Sequence, residues 1–328
     1  MDLEVAVGSL GGPRPDFTQR GGDLDIGGMG PEPPADPDMG LFVTVPAPED
    51  GPHQAPRQRS LHVTVVYEDK LYVFGGYDGF GRVNDLYEFH LRDQIWRETP
   101  ATNGIPPSPR DRHIGVVHGS CMYVFGGYDG SNRINDFHEY NFTTHTWDSV
   151  TVDVISGAPP SPRHSHAAAV YRDSLYVFGG YDGSYRSDFH EFNFLTAKWE
   201  QVTAAGRVPR ARYRATCTVH GDSLYLFGGH DGTRHLNDVY VFDFRESLWC
   251  SLVVNGEAPV PRDSHISVIH KDSMYVFGGS TGAAMNDFHE LNLKRCCWRQ
   301  IFPEKDTRRR AGAAGAIGVA AGAAFGAA

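Results

Sequence analysis

The sequence predicts an all-β fold in which five small four-stranded sheets stack radially as the blades of a β-propeller. Two observations carry that prediction. The first is the phrase Leu71-Tyr-Val-Phe-Gly-Gly-Tyr-Asp-Gly79, which returns with small edits over residues 122–130, 175–183, 224–232 and 274–282. The first glycines of the five copies, Gly75, Gly126, Gly179, Gly228 and Gly278, lie about 50 residues apart, the period of propellers and arrays. The second is a Trp 20 or 21 residues after that glycine in every copy: Trp96, Trp147, Trp199, Trp249 and Trp298.

Each unit reads the same way. An aromatic and β-branched run such as Leu71–Phe74, closed by two glycines, is a short buried strand rather than a helix. The glycine pairs (Gly75-Gly76, Gly126-Gly127, Gly179-Gly180, Gly228-Gly229, Gly278-Gly279) let that strand end in a backbone that a side chain would obstruct. Tyr-Asp-Gly then turns the chain, because Asp can bond its own backbone and Gly accepts positive φ. Residues 84–91, Asn-Asp-Leu-Tyr-Glu-Phe-His-Leu, alternate as a strand with one wet face, and the Trp marks the strand after it. A Pro-rich link such as Pro106–Arg110, Pro159–Arg163 or Pro259–Arg262 feeds one more strand, for example His113–His118, before the next phrase. The units open at Arg59, Arg110, Arg163, Arg212 and Arg262, and the third and fifth are one residue shorter in the loop after the glycines. One four-stranded sheet cannot cover its own apolar faces, so neighbours must stack with Trp and Tyr rings between them. Radial stacking leaves only short, protected edges.

The hydrophobic strand, double glycine, acidic turn and spaced Trp of residues 57–302 resemble the kelch repeat. The Arg-x-x-His opening together with Tyr-Val-Phe-Gly-Gly is similar to the leucine-zipper-like transcriptional regulator branch of that family. Six or seven blades are usual in the family. Three outcomes are therefore open: a five-bladed propeller, closure that borrows Phe42–Val45, or a piece of a longer product.

Outside the repeats, residues 1–40 are Gly, Pro and Asp with almost no aromatics, a composition read as disordered. Residues 41–46, Leu-Phe-Val-Thr-Val-Pro, resemble the last strand of a preceding unit, so the propeller domain is drawn as 41–302. Residues 303–328 form a basic and then Ala/Gly-rich tail, read as floppy, with a membrane anchor as the alternative. Of the net charge of −10, the segment 1–50 carries −8, from ten acids against Arg14 and Arg20. No basic face for nucleic acid is left. Five cysteines without Cys-x-x-Cys spacing read as small apolar groups, not a disulfide or zinc framework. No secretory leader is recognised, and the expected location is cytoplasmic, in a reducing compartment.

Repetition separates scaffold from function within one chain. Residues common to all copies serve the fold, and residues that differ at one geometrical position are free to serve a partner. The glycines, the Trp series, Asp85, Asp136, Asp188, Asp238 and Asp287 go to the scaffold, with His62, His113, His166 and His265, which Ala215 replaces in the fourth copy. In a four-stranded meander, the link entering the first strand and the loop leaving the second lie at one end of the sheet, so both gather at one mouth. Two variable columns are expected there: Ser60, Arg112, Ser165, Arg214 and Ser264 before the first strand, and Tyr77, Tyr128, Tyr181, His230 and Ser280 after the glycines. Tyr and Arg are the residues most enriched in interface hot spots. Farther out, Arg82, Arg133, Arg186 and Arg234 are expected to make the mouth positive and suited to an extended acidic or phosphorylated segment of another protein.

The resemblance implies a similar site. In kelch adaptors of cullin ubiquitin ligases, arginines and serines at the places of Arg112, Arg214, Ser60, Ser165 and Ser264, with aromatics at those of Tyr77, Tyr128 and Tyr181, hold an acidic peptide. The BTB module that such adaptors commonly carry has no counterpart outside 57–302, so the chain is expected to bind, scaffold or compete rather than deliver ubiquitin. The recurring Asp-Phe-His-Glu (136–139, 188–191, 287–290) falls in three separate units and reads as a strand-start cap rather than a metal site. The expected role is a non-catalytic adaptor needing no cofactor or metal. The alternative is a kelch-fold metalloenzyme or an enzyme that modifies a small molecule.

Overall fold

The structure is a computed structural model that describes residues 55–99, 103–152 and 157–302. The readings made for 1–40, 41–46 and 303–328 fall outside the described residues. Five antiparallel meanders follow one another along the chain as the five blades of a β-propeller. Blade 1 runs Val63–Tyr67, Lys70–Phe74, Leu86–His90 and Ile95–Glu98; blade 2 runs Ile114–His118, Cys121–Tyr128, Arg133–Asn141 and Thr146–Ser149. Blade 3 runs Ala167–Tyr171, Ser174–Phe178, Phe189–Asn193 and Lys198–Gln201; blade 4 runs Thr216–His220, Ser223–Phe227, Val239–Asp243 and Leu248–Leu252. Blade 5 runs Ile266–His270, Ser273–Ser280, Ala284–Asn292 and Cys297–Ile301. No helix among the described residues is long and apolar enough to cross a membrane.

Three sheets gain a fifth strand that the repeat reading did not anticipate. The link leaving one blade lays two residues, Asn103–Gly104, Ala205–Gly206 or Asn255–Gly256, parallel to the Trp strand of the next. Only glycine fits there: a Cβ on Gly104 would lie 1.8 Å from the Trp147 carbonyl oxygen.

The arginine that opens each unit is a buried clamp. Arg110, Arg163, Arg212 and Arg262 are at most 1% exposed and Arg59 5%. Each meets the carboxylate at the start of its third strand in a two-bonded fork, as Arg163 does with Asp188 at 2.7 and 2.8 Å. A third bond goes to the carbonyl of the first glycine, from Arg163 to Gly179 at 2.9 Å. The guanidinium thus ties the incoming link to the second and third strands of its own blade. In three blades a histidine joins the same carboxylate at 2.9 Å: His138 on Asp136, His190 on Asp188 and His289 on Asp287. Burial alone would raise the pKa of Asp188, but the bonds from Arg163 and His190 hold it far below the usual carboxylate range. The Asp-Phe-His-Glu phrases are therefore committed to these clamps.

Four apolar cores lie between successive blades, one at each junction from 1–2 to 4–5. In every one, the Trp of the later blade packs on the Phe before the glycine pair of the earlier blade: Trp147 on Phe74, Trp199 on Phe125, Trp249 on Phe178 and Trp298 on Phe227, with centroids 4.9–5.6 Å apart. These tryptophans are at most 1% exposed. The scaffold histidines fill the same junctions, His113 edge-on to Phe74, His166 to Phe125 and His265 to Phe227. The five cysteines are half-buried free thiols.

Candidate functional site

At each blade the residue after the clamp arginine bridges the residue after the glycine pair, which brings link and loop to the same mouth. The pairs are Ser60 with Tyr77, Asp111 with Tyr128, His164 with Tyr181, Tyr213 with His230, and Asp263 with Ser280. The glycines permit this approach: Gly127 has φ +106°, and a Cβ there would stand 2.7 Å from the Asp111 carbonyl oxygen.

One residue farther on, Leu61, Arg112, Ser165, Arg214 and Ser264 all hold positive φ of 55–59°. From Arg112 onward each donates its N–H to the carbonyl of its predecessor at 2.8–3.1 Å, so a chain of backbone bonds runs along the inner rim from blade 1 to blade 5. A non-glycine residue in this region costs about 1–2 kcal/mol, which the inter-blade bond and the neighbouring sheets offset.

This register corrects one expectation. Ser60 follows Arg59 by one residue whereas Arg112 follows Arg110 by two, so Leu61 and not Ser60 shares the place of Arg112, Ser165, Arg214 and Ser264. Ser60 belongs with Asp111, His164, Tyr213 and Asp263. That set is a further variable column at the mouth, and moving the comparison by one residue in the sequence finds it.

Tyr77, Tyr128, Tyr181 and His230 lie as expected on the rim, joined there by side chains that the repeat comparison missed. Aromatic contacts run Tyr128–His164, His164–Tyr181, Tyr181–Tyr185, Tyr185–Tyr213, Tyr213–His230 and His230–His235, with centroids 4.9–6.1 Å apart. Guanidinium groups lie over the same rings: Arg82 over Tyr128 at 4.6 Å, Arg133 over Tyr181 at 4.9 Å and Arg214 over Tyr213 at 4.8 Å. Ser264 instead bonds its own neighbour, Asp263.

The expected positive charge is partly cancelled by acids of the missed column. Asp111 pairs with both Arg82 at 3.0 Å and Arg112 at 2.9 Å, and Asp263 lies 3.7 Å from Arg214. Asp182 and Asp231 stand near Arg186 and Arg234. Burial first, then the charges of Arg112, Arg133 and Arg214, push the pKa of His164 down to about 4. His164 stands beside the Ser165 hydroxyl at 3.1 Å and the ring of Tyr181.

Five repeating blades with an invariant scaffold and one variable aromatic and arginine rim define a repeat β-propeller. The chain belongs to the kelch-repeat family: residues 47–229 and again 152–318 match the KLHDC2/KLHL20/DRC7 Kelch-repeats domain. It is 40% identical over 159 residues to the leucine-zipper-like transcriptional regulator 1 homolog of Drosophila melanogaster, covering 45% of this chain and 16% of the relative. Over 172 residues it is 32% identical to human host cell factor 2, covering 45% and 21%, and over 128 residues 37% identical to rat kelch domain-containing protein 3, covering 38% and 32%. The chain therefore spans about a third or less of the length of these relatives.

Proposed function

We propose that this propeller is a non-catalytic protein-interaction module, an adaptor or scaffold, that grips an extended segment of a partner protein across the rim of blades 1–4. The observation that carries the reading is the run of aromatic rings interleaved with guanidinium planes, standing on a backbone that the inter-blade bonds hold rigid. Tyr supplies rigid apolar area, and the planar Arg fork supplies directional bonds with less freedom lost per bond than a lysine would lose. The acidic or phosphorylated residue of that segment is received by Arg133, whose guanidinium lies over Tyr181, with Arg112 and Arg214, which Asp111 and Asp263 already partly neutralise. Because Asp111 and Asp263 already offset part of the charge on Arg112 and Arg214, and Asp231 part of that on Arg234, the rim favours one anionic group within an otherwise neutral, aromatic-tolerant segment over a run of acids. The carboxylates that recur along the strands are occupied by buried arginines, which supports binding rather than chemistry.

Fluorescence anisotropy with short labelled peptides tests this: a Gly/Ser/Tyr peptide carrying one phosphoserine, its unphosphorylated form, and a poly-Glu peptide, each at two salt concentrations. The phosphopeptide is expected to bind tightest. Arg112→Ala with Arg214→Ala is expected to weaken it about a hundredfold or more, as loss of two charge-assisted bonds worth about 1.5–3 kcal/mol each predicts. Equal binding of all three peptides, or an unchanged affinity in the double variant, would reject the reading.

A further inference from the structure

The bridges at the mouth define one more variable column. Arg82 pairs with Tyr77, Arg133 with Tyr128, Tyr185 with Tyr181, His235 with His230 and Ala284 with Ser280. Tyr185 rather than Arg186, and His235 rather than Arg234, therefore stand in line with Arg82 and Arg133. Members of this column reach across to the next blade, onto the residue that follows its clamp arginine. Arg82 meets Asp111 at 3.0 Å, Tyr185 meets Tyr213 edge-on with centroids 5.3 Å apart, and His235 meets Asp263 at 3.4 Å. Three junctions are thus latched at the mouth by complementary pairs: guanidinium with carboxylate, ring with ring, imidazole with carboxylate.

The junction between blades 2 and 3 differs. The residues in the latch positions there are Arg133 and His164, which both lie against the Tyr181 ring, 4.9 and 5.6 Å from its centroid. Both are donors. Among the described residues no carboxylate lies within 4.0 Å of the Arg133 guanidinium, and its Nε is buried without a hydrogen-bond partner. Arg82, Arg112, Arg186, Arg214 and Arg234 each have a carboxylate within that distance. His164 is neutral near pH 7, and with the Ser165 hydroxyl donating to its Nδ1 at 3.1 Å, the ring proton is on Nε2.

We infer that a phosphomonoester on the bound segment is the acceptor that completes this junction, held by the Arg133 guanidinium of blade 2 and the His164 Nε2–H of blade 3. The assignment rests on the proposed binding of a partner segment across the rim. A planar guanidinium fork takes two oxygens of one group, and the imidazole on the facing blade takes another. Phosphate offers three acceptor oxygens and up to about two charges, whereas a carboxylate offers two oxygens and one charge. The phosphate then joins blades 2 and 3 as Asp111 joins blades 1 and 2.

Exchanging the latch residues tests the inference. Fluorescence anisotropy compares a Gly/Ser/Tyr peptide carrying one phosphoserine with the same peptide carrying Glu in its place. The phosphopeptide is expected to bind about tenfold more tightly. His164→Asp, which gives this junction the same pair as Arg82 and Asp111, is expected to abolish that preference without lowering the thermal midpoint, because Arg133 then has a partner within the fold. Asp111→His, which frees Arg82 and Arg112, is expected to strengthen phosphopeptide binding about threefold or more, a gain that a damaged fold does not produce. An unchanged preference in both His164→Asp and Arg133→Ala, with Arg112→Ala plus Arg214→Ala still weakening the phosphopeptide, would overturn this seat while segment binding stands. Equal affinity for the two peptides would overturn the choice of phosphate, and binding of neither would overturn both readings.

Discussion

Asp188→Ala tests the claim that each blade is locked by a buried guanidinium. Arg163 is fully buried, and every one of its donor groups is used: Nε on the Ser161 carbonyl, Nη1 on Gly179 and Asp188, Nη2 on the Ser161 hydroxyl and Asp188. Removing the carboxylate strands a cation in the low-dielectric interior and deprives His190 of its partner. Loss of one member of a buried ion pair costs about 3–5 kcal/mol. For a domain of this size, about 2–4 °C is lost per kcal/mol, so the thermal midpoint followed by circular dichroism is expected to fall by about 6–20 °C. The control is Asp69→Ala, which removes the partner of Arg92 in a pair 3.9 Å apart with side chains 51% and 85% exposed. That pair is expected to contribute less than about 1 kcal/mol. Arg163→Met with Asp188→Leu, which removes both charges, is expected to recover much of the loss. An Asp188→Ala midpoint no lower than that of Asp69→Ala would refute the clamp as a determinant of stability.

Acid is expected to open the blade junctions. Burial, then the adjacent clamp arginine, lowers the pKa of His113 and His265 to about 3, and the same causes take His166 well below its ordinary value. The unfolded chain binds protons near pH 6.5 while the folded one does not, so their contribution is whole above that pH and is lost as pH falls below it. Each costs about 2 kcal/mol by pH 5. With His62 and His164, each lowered to about 4, a urea titration series from pH 7.5 to 5 is expected to show roughly five extra protons taken up on unfolding, and one fewer in His166→Ala; a flat profile would contradict this. Gly127→Ala is expected to cost roughly 2–3 kcal/mol, because its Cβ would meet Asp111 and His113 at 2.7–2.8 Å. Gly79→Ala, with φ +92° but nothing within 4 Å, is expected to lose only about 1 kcal/mol, and equal losses in chemical denaturation would argue against the close approach at the mouth.

The primary structure by itself determined the fold class, the order of the five repeating units, the glycine and Trp scaffold, and the end of the sheets at which the variable residues gather. A short-range code repeated five times is legible because each copy checks the others. Tertiary structure alone decided which columns face one another. Arg59 and its four counterparts are as regular as the glycines, yet their burial against Asp85 and its counterparts depends on the sheet bringing together residues 25 or 26 positions apart. Asp111 and Asp263 temper the charge of the mouth through contacts that cross loops and blades. Leu61 and not Ser60 takes the αL place that Arg112 holds in the next blade, bonded to it through the backbone, while Ser60 bridges Tyr77 at the same mouth. Local sequence specifies strands and turns; the balance of charge at the mouth arises only where distant segments meet.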